Sequence, residues 1–422
     1  MKRVADHHLA LFGGLPVVSP GRARRWPLLT EADQIAIRRV LDRGVLSGRK
    51  APEITALEEE FASFVGVRSC LATNSGTAAL HMALAAAGVG PGDEVIVPAL
   101  SFIATAQAVL HQGAVPVFAD IDAKTYNLDP AHVASLITSR TRAIVPVHLH
   151  GLPADMEEIN GLAEHGNLTV IEDAAQAHGA LYRGRSVGTL GHMAAFSLNS
   201  TKNLQAGEGG LFVTDSVELS LKAARVRFDG LDPDPGWIPY RPLDAWTDSL
   251  ATMTGWNYLP GEMTSALARS QLRRLPDTTA QSQQNAARLT ARLAELPGIV
   301  PPTVPSDRTH VFHKYRVRLD PLRAGVNLPP RVLRDLVLQA LRAEGVEVVL
   351  WQTVPLPSHP LFARKEVYPA AHEALDGSFI IGSQSYPLFA QPLDVVGAWA
   401  DAFEKVWMKL DELSTQGVLR AG

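Results

Sequence analysis

Two rhythms of apolar and polar positions alternate along the chain. Short β-branched runs bounded by Gly, Pro or Asp stand at Glu94 to Val97, Val115 to Ala119, Ala143 to Val147, Thr169 to Glu172, Ala194 to Ser197 and Gly210 to Thr214. Helical stretches separate them, such as Gly76 to Ala87, opening after Asn74 and Ser75, and Ile103 to His111, opening after Ser101. Over residues 30–275 this alternation predicts a doubly wound, mostly parallel α/β sheet covered by helices. Near Arg273 to Asp277 the texture changes, and a long helical stretch, Thr278 to Glu295, leads into a connection with Pro297, Pro301, Pro302 and Pro305. A smaller C-terminal α/β unit follows, with a strand-like alternation at Phe312 to Leu319, an amphipathic helix at Pro330 to Glu344 and a closing helix at Val395 to Leu413. The expected organisation is a segment 1–29 packing on the small domain or a partner, a large domain 30–275 and a small domain 276–422.

Composition narrows the class. Hydrophobic residues make up 46% of the 422 and charged residues 19%, against about 45–50% and about 25% in ordinary soluble domains, which suits a subunit that hides surface in an oligomer. The net charge of −4, from 39 Lys+Arg and 43 Asp+Glu without a long run of either sign, argues against nucleic acid as a partner. Cys70 is the single cysteine, so an intrachain disulfide and a cysteine-rich metal site are excluded, and its apolar surroundings predict a buried thiol. The N-terminal apolar stretch is broken by Gly13, Gly14 and Pro16, which reads as no signal peptide. Apolar runs fall short of the roughly 18 residues that a membrane span requires. A cytoplasmic protein is expected.

Candidate chemistry gathers where strands end. Lys202 lies just beyond a strand in Phe196-Ser197-Leu198-Asn199-Ser200-Thr201-Lys202-Asn203, beside Gly207-Glu208-Gly209-Gly210; a lone loop lysine is otherwise a solvated charge, and glycine pairs otherwise mark turns. Asp173 closes an apolar strand, where α/β sheets place ligand-binding groups, or else caps a helix. Asn74-Ser75-Gly76-Thr77-Ala78 joins a strand to a helix N-terminus, where free N–H groups suit a phosphate or need only a plain cap. Phe102 ends the next strand and could stack on a cofactor ring or fill the core. A phosphate cup, an aromatic, an acid and a lysine on four strand ends carry more weight together than any of them alone.

With these pieces in order, the sequence resembles the DegT/StrS-type sugar aminotransferases, enzymes of the pyridoxal 5′-phosphate (PLP) fold type I, from about residue 26 to the C-terminus. The likeness is carried by NSGTAAL at 74–80, PVFADIDAKTYNLDP at 116–130, PVHLHGLPADM at 146–156, EDAAQAHGA at 172–180 and FSLNSTKN with GEGG at 196–210. It implies an aspartate-aminotransferase-like fold with PLP as cofactor. Lys202 would bond the cofactor as a Schiff base, Asp173 would pair with the pyridine nitrogen and Gln176 would lie near the phenolic oxygen. Phe102 would be the stacking aromatic, often Trp in related enzymes. Gly76, Thr77, Ala78 and the Ser197 hydroxyl would hold the phosphate, completed by Asn257 from a neighbouring subunit, so that a homodimer shares its active sites. The chain departs from the family pattern at Leu259-Pro260-Gly261-Glu262, at His150, where Tyr or Phe is common, and in an insertion from Asp232 to Leu250 containing Trp237, Tyr240 and Trp246, whose aromatics could line a substrate entrance or pack under a loop.

The resemblance implies transfer of an amino group from glutamine or glutamate to a ketone. The segment Leu9 to Gly48 and the stretch Pro355 to Phe362 look most like the branch that aminates keto-cyclitols in secondary metabolism, of the scyllo-inosose type found in antibiotic biosynthesis. Aminases of nucleotide-linked keto-sugars are close behind. Other outcomes on this scaffold are aromatising synthases, which keep the lysine, dehydratases, which carry His in its place and are disfavoured by Lys202, and a regulator without turnover, disfavoured by the intact set Asp173, Gln176, Ser197 and Lys202.

Overall fold

The structure, a computed structural model, describes residues 8–231, 251–362 and 366–421, the last six of these for the backbone only. Trp237, Tyr240 and Trp246 lie outside the described residues. The first seven long strands in the chain form one sheet: β1 (Ser69–Thr73), β2 (Glu94–Pro98), β3 (Val115–Ala119), β4 (Thr141–Ile144), β5 (Thr169–Asp173), β8 (Met193–Ser197) and β9 (Gly210–Thr214). A small hairpin, β6 (Leu181–Tyr182) and β7 (Arg185–Ser186), interrupts the series. The order across the large sheet is β1-β9-β8-β5-β4-β2-β3, and only β9 runs against the others. The carboxyl ends of β1, β2, β5 and β8 therefore share one edge of the sheet, the edge on which such folds place their ligands.

Buried on both faces, β2, β8 and β9 are apolar throughout or nearly so. One face packs Phe61, Ile96, Val170 and Phe196, and the other packs Leu80, Val97, Phe118 and Phe212. Cys70 is buried at the start of this core, where desolvation pushes its thiol well above the usual range.

The second unit is a four-stranded antiparallel sheet in the order β10-β11-β13-β12, with β10 at Ile299–Val300, β11 at Tyr315–Leu319, β12 at Val348–Val349 and β13 at Ser378–Ile381. Three elements differ from the sequence expectation. The strand expected from Phe312 begins at Tyr315, because Phe312 has φ 48° and residues 311 and 314 hydrogen-bond instead to the carbonyls of Gly151 and His150. The strand expected to reach Val147 ends at Ile144, with Val147 left as an isolated bridge to Asp173. The closing helix is two, Leu393–Met408 and Leu410–Ala421, broken at Lys409.

The N-terminal segment is tied into this second unit. Leu9 and Val18 are buried in its core with Leu333, Phe379 and Trp399. Glu344, just past the helix Pro330–Ala343, accepts hydrogen bonds from the N–H groups of Ala10 (2.8 Å) and Val17 (3.1 Å) and from Lys405 Nζ (3.0 Å). Lys405 also donates to the Leu15 carbonyl (2.8 Å), so this buried pair has its charges matched and its remaining donors used. No helix among the described residues is long and apolar enough to cross a membrane.

Candidate active site

The helix Gly76–Ala86 follows β1 because Ser75 caps it, its side chain accepting from Ala78 N (3.1 Å). That cap occupies the N–H of Ala78, one of the three amides expected to meet a phosphate. The N–H groups of Gly76 and Thr77 have no acceptor among the described residues. Gly76 must be glycine here, since a Cβ would stand 2.8 Å from Ser197 Cβ and 3.2 Å from Ser197 Cα. Gly210 faces both Thr73 and Ser197 in the sheet register, and a Cβ on it would overlap the Ser75 carbonyl. Two glycines thus let the helix N-terminus descend onto β8 and β9, bringing Gly76, Thr77 and the Ser197 hydroxyl together.

Lys202 sits in the connection from β8 to β9, which closes on itself through Leu198 N to Gly209 O (2.8 Å) and Ser200 N to Gly207 O (2.8 Å). The next residue pins the loop to the second unit: Asn203 Nδ2 donates to Val311 O (3.1 Å), and its Oδ1 lies 3.3 Å from His313 Nδ1. The Lys202 amine makes no hydrogen bond among the described residues. Burial lowers its pKa to about 8, against the opposing pull of Asp173.

Asp173, at the end of β5, is 5% exposed. Burial raises its pKa, while Thr105 Oγ1, donating to Oδ2 at 2.7 Å, and Ala175 N, donating to Oδ1 at 3.2 Å, favour the charged form. Thr105 lies 3.0 Å from Ser101 Oγ, so a hydroxyl relay runs behind the acid. Neighbouring Glu172 points the other way into the core, accepting from His148 Nε2 (2.9 Å) and the amides of Gly188 (2.8 Å), Leu190 and Gly191 (both 2.7 Å). Gln176 is buried, and its Oε1 accepts the N–H of His150 at 2.8 Å. Phe102 stands on the same edge and is 55% exposed, leaving a ring face open. Asn257 is exposed, with its backbone carbonyl accepting from Asn74 Nδ2 (3.3 Å).

The structure adds residues that sequence reasoning passed over. Lys314 stands close enough to Lys202 for their charges to interact, and burial first, then that charge, lowers it to about 7. His178 and His313 are buried and held neutral chiefly by desolvation, secondarily by the Lys202 charge. Thr105 carried a faint signal, lying one helical turn after Ser101 at a strand end. Lys314 and His313 carried none, lying in a stretch that reads only as a strand.

An apolar doubly wound sheet with lysine, acid and glycine cup on one edge defines the class, a PLP-dependent enzyme of the aspartate-aminotransferase fold. Residues 27–382 match the DegT/DnrJ/EryC1/StrS aminotransferase family, and the chain belongs to it. It is 40% identical over 326 residues to GDP-perosamine synthase of Caulobacter vibrioides, covering 76% of this chain and 80% of that protein. It is 35% identical over 440 aligned positions to L-glutamine:scyllo-inosose aminotransferase of Streptomyces griseus, covering 97% and 100%. The aminotransferase from Psychrobacter cryohalolentis superposes with a TM-score of 0.83 at 31% identity, over 92% of this chain and 99% of its own. The chain is accordingly a PLP-dependent aminotransferase of the sugar and cyclitol type.

The residues present suit that cofactor. Two free amides and a hydroxyl beside glycines that admit close approach match a phosphate, and a buried carboxylate matches a protonated ring nitrogen. An unpaired amine with a lowered pKa matches a group that must bond an aldehyde carbon.

Proposed function

We propose that this aminotransferase moves an amino group from glutamine or glutamate to a keto-cyclitol or free keto-sugar. The observation that carries the acceptor is the extent of the likeness to the scyllo-inosose aminotransferase, 97% of this chain and the whole of that protein, taking in the N-terminal segment. The higher identity to GDP-perosamine synthase stops at 76% of this chain and favours a nucleotide-linked keto-sugar as the second reading.

In this reading Lys202 Nζ would bond the cofactor, and Gly76, Thr77 and Ser197 would hold its phosphate. The N–H of Ala78 serves through the cap that orients its neighbours. Asp173, held in place by Thr105, would keep a proton on the ring nitrogen. Gln176 would lie near the phenolic oxygen, Phe102 would be the stacking aromatic, and Asn257, which is exposed, would complete the phosphate site of a partner in a homodimer. When bound, PLP supplies an electron sink and a temporary carrier for the amino group. Lys202 would be the group that moves a proton at the donor Cα, and its pKa, lowered by burial to about 8, leaves a useful fraction of neutral base near pH 7 to 8. The neighbouring histidines, held neutral by burial, add no competing positive charge there.

The test is to incubate holoenzyme with ¹⁵N-labelled glutamine or glutamate and separate panels of keto-cyclitols, free keto-sugars and nucleotide-linked keto-sugars. Label arriving in a cyclitol or free sugar, matched by release of the 2-oxo acid, is the expected result. Transfer confined to nucleotide-linked acceptors overturns the preferred acceptor, and a product without label overturns amino transfer.

A further inference from the structure

The exposed side chain of Asn257 makes no hydrogen bond among the described residues, yet the chain on either side of it is held from several directions. Segment 256–258 lies strand-like beside the end of the helix Val217–Arg227: the N–H of Trp256 donates to the Val226 carbonyl (2.8 Å), that of Tyr258 to the Arg227 carbonyl (3.0 Å), and Asn257 is bridged to Phe228. Successive side chains of such a segment point to opposite sides. Asn257 accordingly faces outward, while the Trp256 and Tyr258 rings are stacked with centroids 6.1 Å apart and packed on the core. Asn74, the residue before the helix cap Ser75, closes the segment from the other side. Its N–H donates to the Tyr258 carbonyl (2.8 Å) and its Nδ2 to the Asn257 carbonyl (3.3 Å).

Against the two rings lies His81, 1% exposed, on the helix Gly76–Ala86 whose first amides form the phosphate cup. Its ring centre is 4.5 Å from that of Trp256 and 5.9 Å from that of Tyr258, edge-on to both. Gln112, just past the helix Ala104–His111, brings Nε2 to 2.5 Å from His81 Nε2. An amide nitrogen only donates, so the imidazole proton sits on Nδ1 and is given to Tyr258 Oη at 2.9 Å. Burial first, and the His111 charge second, lower the pKa of His81 to about 4, so the ring stays neutral. Packing alone would ask only for an apolar side chain here. A buried polar group with both ring nitrogens engaged fixes one geometry instead, and the geometry it fixes is that of the chain around Asn257.

We propose that His81 is a positioning residue for the cofactor of the partner subunit: through Tyr258, and together with Asn74, it holds the segment that presents Asn257 to the partner's phosphate site. The assignment rests on the reading of Asn257 as the residue that completes that site. On this assignment a residue of one subunit's phosphate helix serves the other subunit's cofactor rather than its own, since its two nitrogens are engaged by Gln112 and Tyr258 and neither is left for the cup of its own chain.

The experiment uses hybrid dimers of two differently tagged copies, one carrying Lys202→Ala, so that absorbance of the cofactor bonded to lysine reports only the site of the other copy. PLP affinity at that site is titrated with His81→Phe, Tyr258→Phe or Asn257→Ala placed either on the copy that keeps Lys202 or on the copy that lacks it. Asn257→Ala on the copy that lacks the lysine is expected to weaken PLP binding about tenfold to a hundredfold, as for loss of a hydrogen bond to a charged group, and His81→Phe there about threefold to tenfold. His81→Phe added to Asn257→Ala on that copy weakens binding no further, because the histidine acts through the asparagine. The same changes on the copy that keeps Lys202 leave its affinity at the wild-type value. Pyridoxal, which has no phosphate, binds alike to every hybrid. Tyr258→Phe removes only a half-buried hydroxyl, gives the same pattern as His81→Phe and decides the matter if that variant does not fold. A loss from His81→Phe confined to the copy that keeps Lys202, or equal for PLP and pyridoxal, marks a histidine that merely supports its own helix and overturns the proposal while the role of Asn257 stands. If Asn257→Ala has no effect from the copy that lacks the lysine, the reading of Asn257 falls and the proposal falls with it.

Discussion

Replacing Thr105 by Val removes one hydroxyl from a fully buried position and keeps the side chain's shape. The hydroxyl donates at 2.7 Å to Asp173 Oδ2, the shorter of the two hydrogen bonds on that carboxylate. A hydrogen bond to a charged group contributes about 1.5–3 kcal/mol, so its loss raises the pKa of Asp173 by a further 1–2 units or so. Asp173 already titrates above its ordinary value in the folded protein because it is buried, so its contribution to stability is lost as pH rises through the folded pKa. In the variant that pKa lies higher still. The deficit relative to wild type is therefore fully present above the variant's pKa and absent below that of the wild type. For a chain of 422 residues the deficit corresponds to a fall of roughly 2–4 °C in unfolding midpoint. Cofactor-free protein is melted at pH 8 and at successively lower pH; the midpoints of variant and wild type are expected to converge toward acid, and Thr105→Ser is expected to restore the wild-type value at pH 8. A deficit that is the same at every pH, or none at pH 8, refutes the view that Thr105 sustains the charge on Asp173.

Because Lys202 loses its proton near pH 8 and only the neutral amine attacks an aldehyde, the rate at which cofactor-free enzyme recombines with PLP is expected to climb through pH 8 and then level. A rate still rising at pH 10, followed by absorbance, contradicts this. Glu172→Gln sets an amide NH₂ among four donors that now converge on a carboxylate. The loss expected is about 3–5 kcal/mol, seen as a lower unfolding midpoint, and a midpoint within a degree of wild type argues against the network.

Much of the site was legible because the large sheet punctuates itself. Its strands are short, apolar and bounded by Gly, Pro or Asp, so Asp173 and Lys202, neither telling by itself, stand out through their order with the glycine cup and the aromatic on successive strand ends. The cup was legible only in part: Gly76 and Thr77 have free amides, but the N–H of Ala78 is spent on Ser75, and a motif does not say which of its donors its own cap consumes. His81 was hidden for a different reason. It meets Tyr258 across 177 positions, and within an apolar helix nothing in the period tells a buried histidine that anchors a distant segment from one that fills the core. The break at Lys409 left no mark either, since the apolar period runs on from one helix into the next.

The grip of Glu344 and Lys405 on the N-terminal segment bears on how the chain is made. The contact from Lys405 to Leu15 spans 390 positions, which a ribosome working at about 5–20 residues per second covers in roughly 20–80 s. For most of that interval the core that buries Leu9 and Val18 is incomplete, and Glu344 follows Val17 by 327 positions. Leu9 and Val18 are thus synthesised well before the residues that bury them, and the segment carrying them is seated only once the second unit has been made.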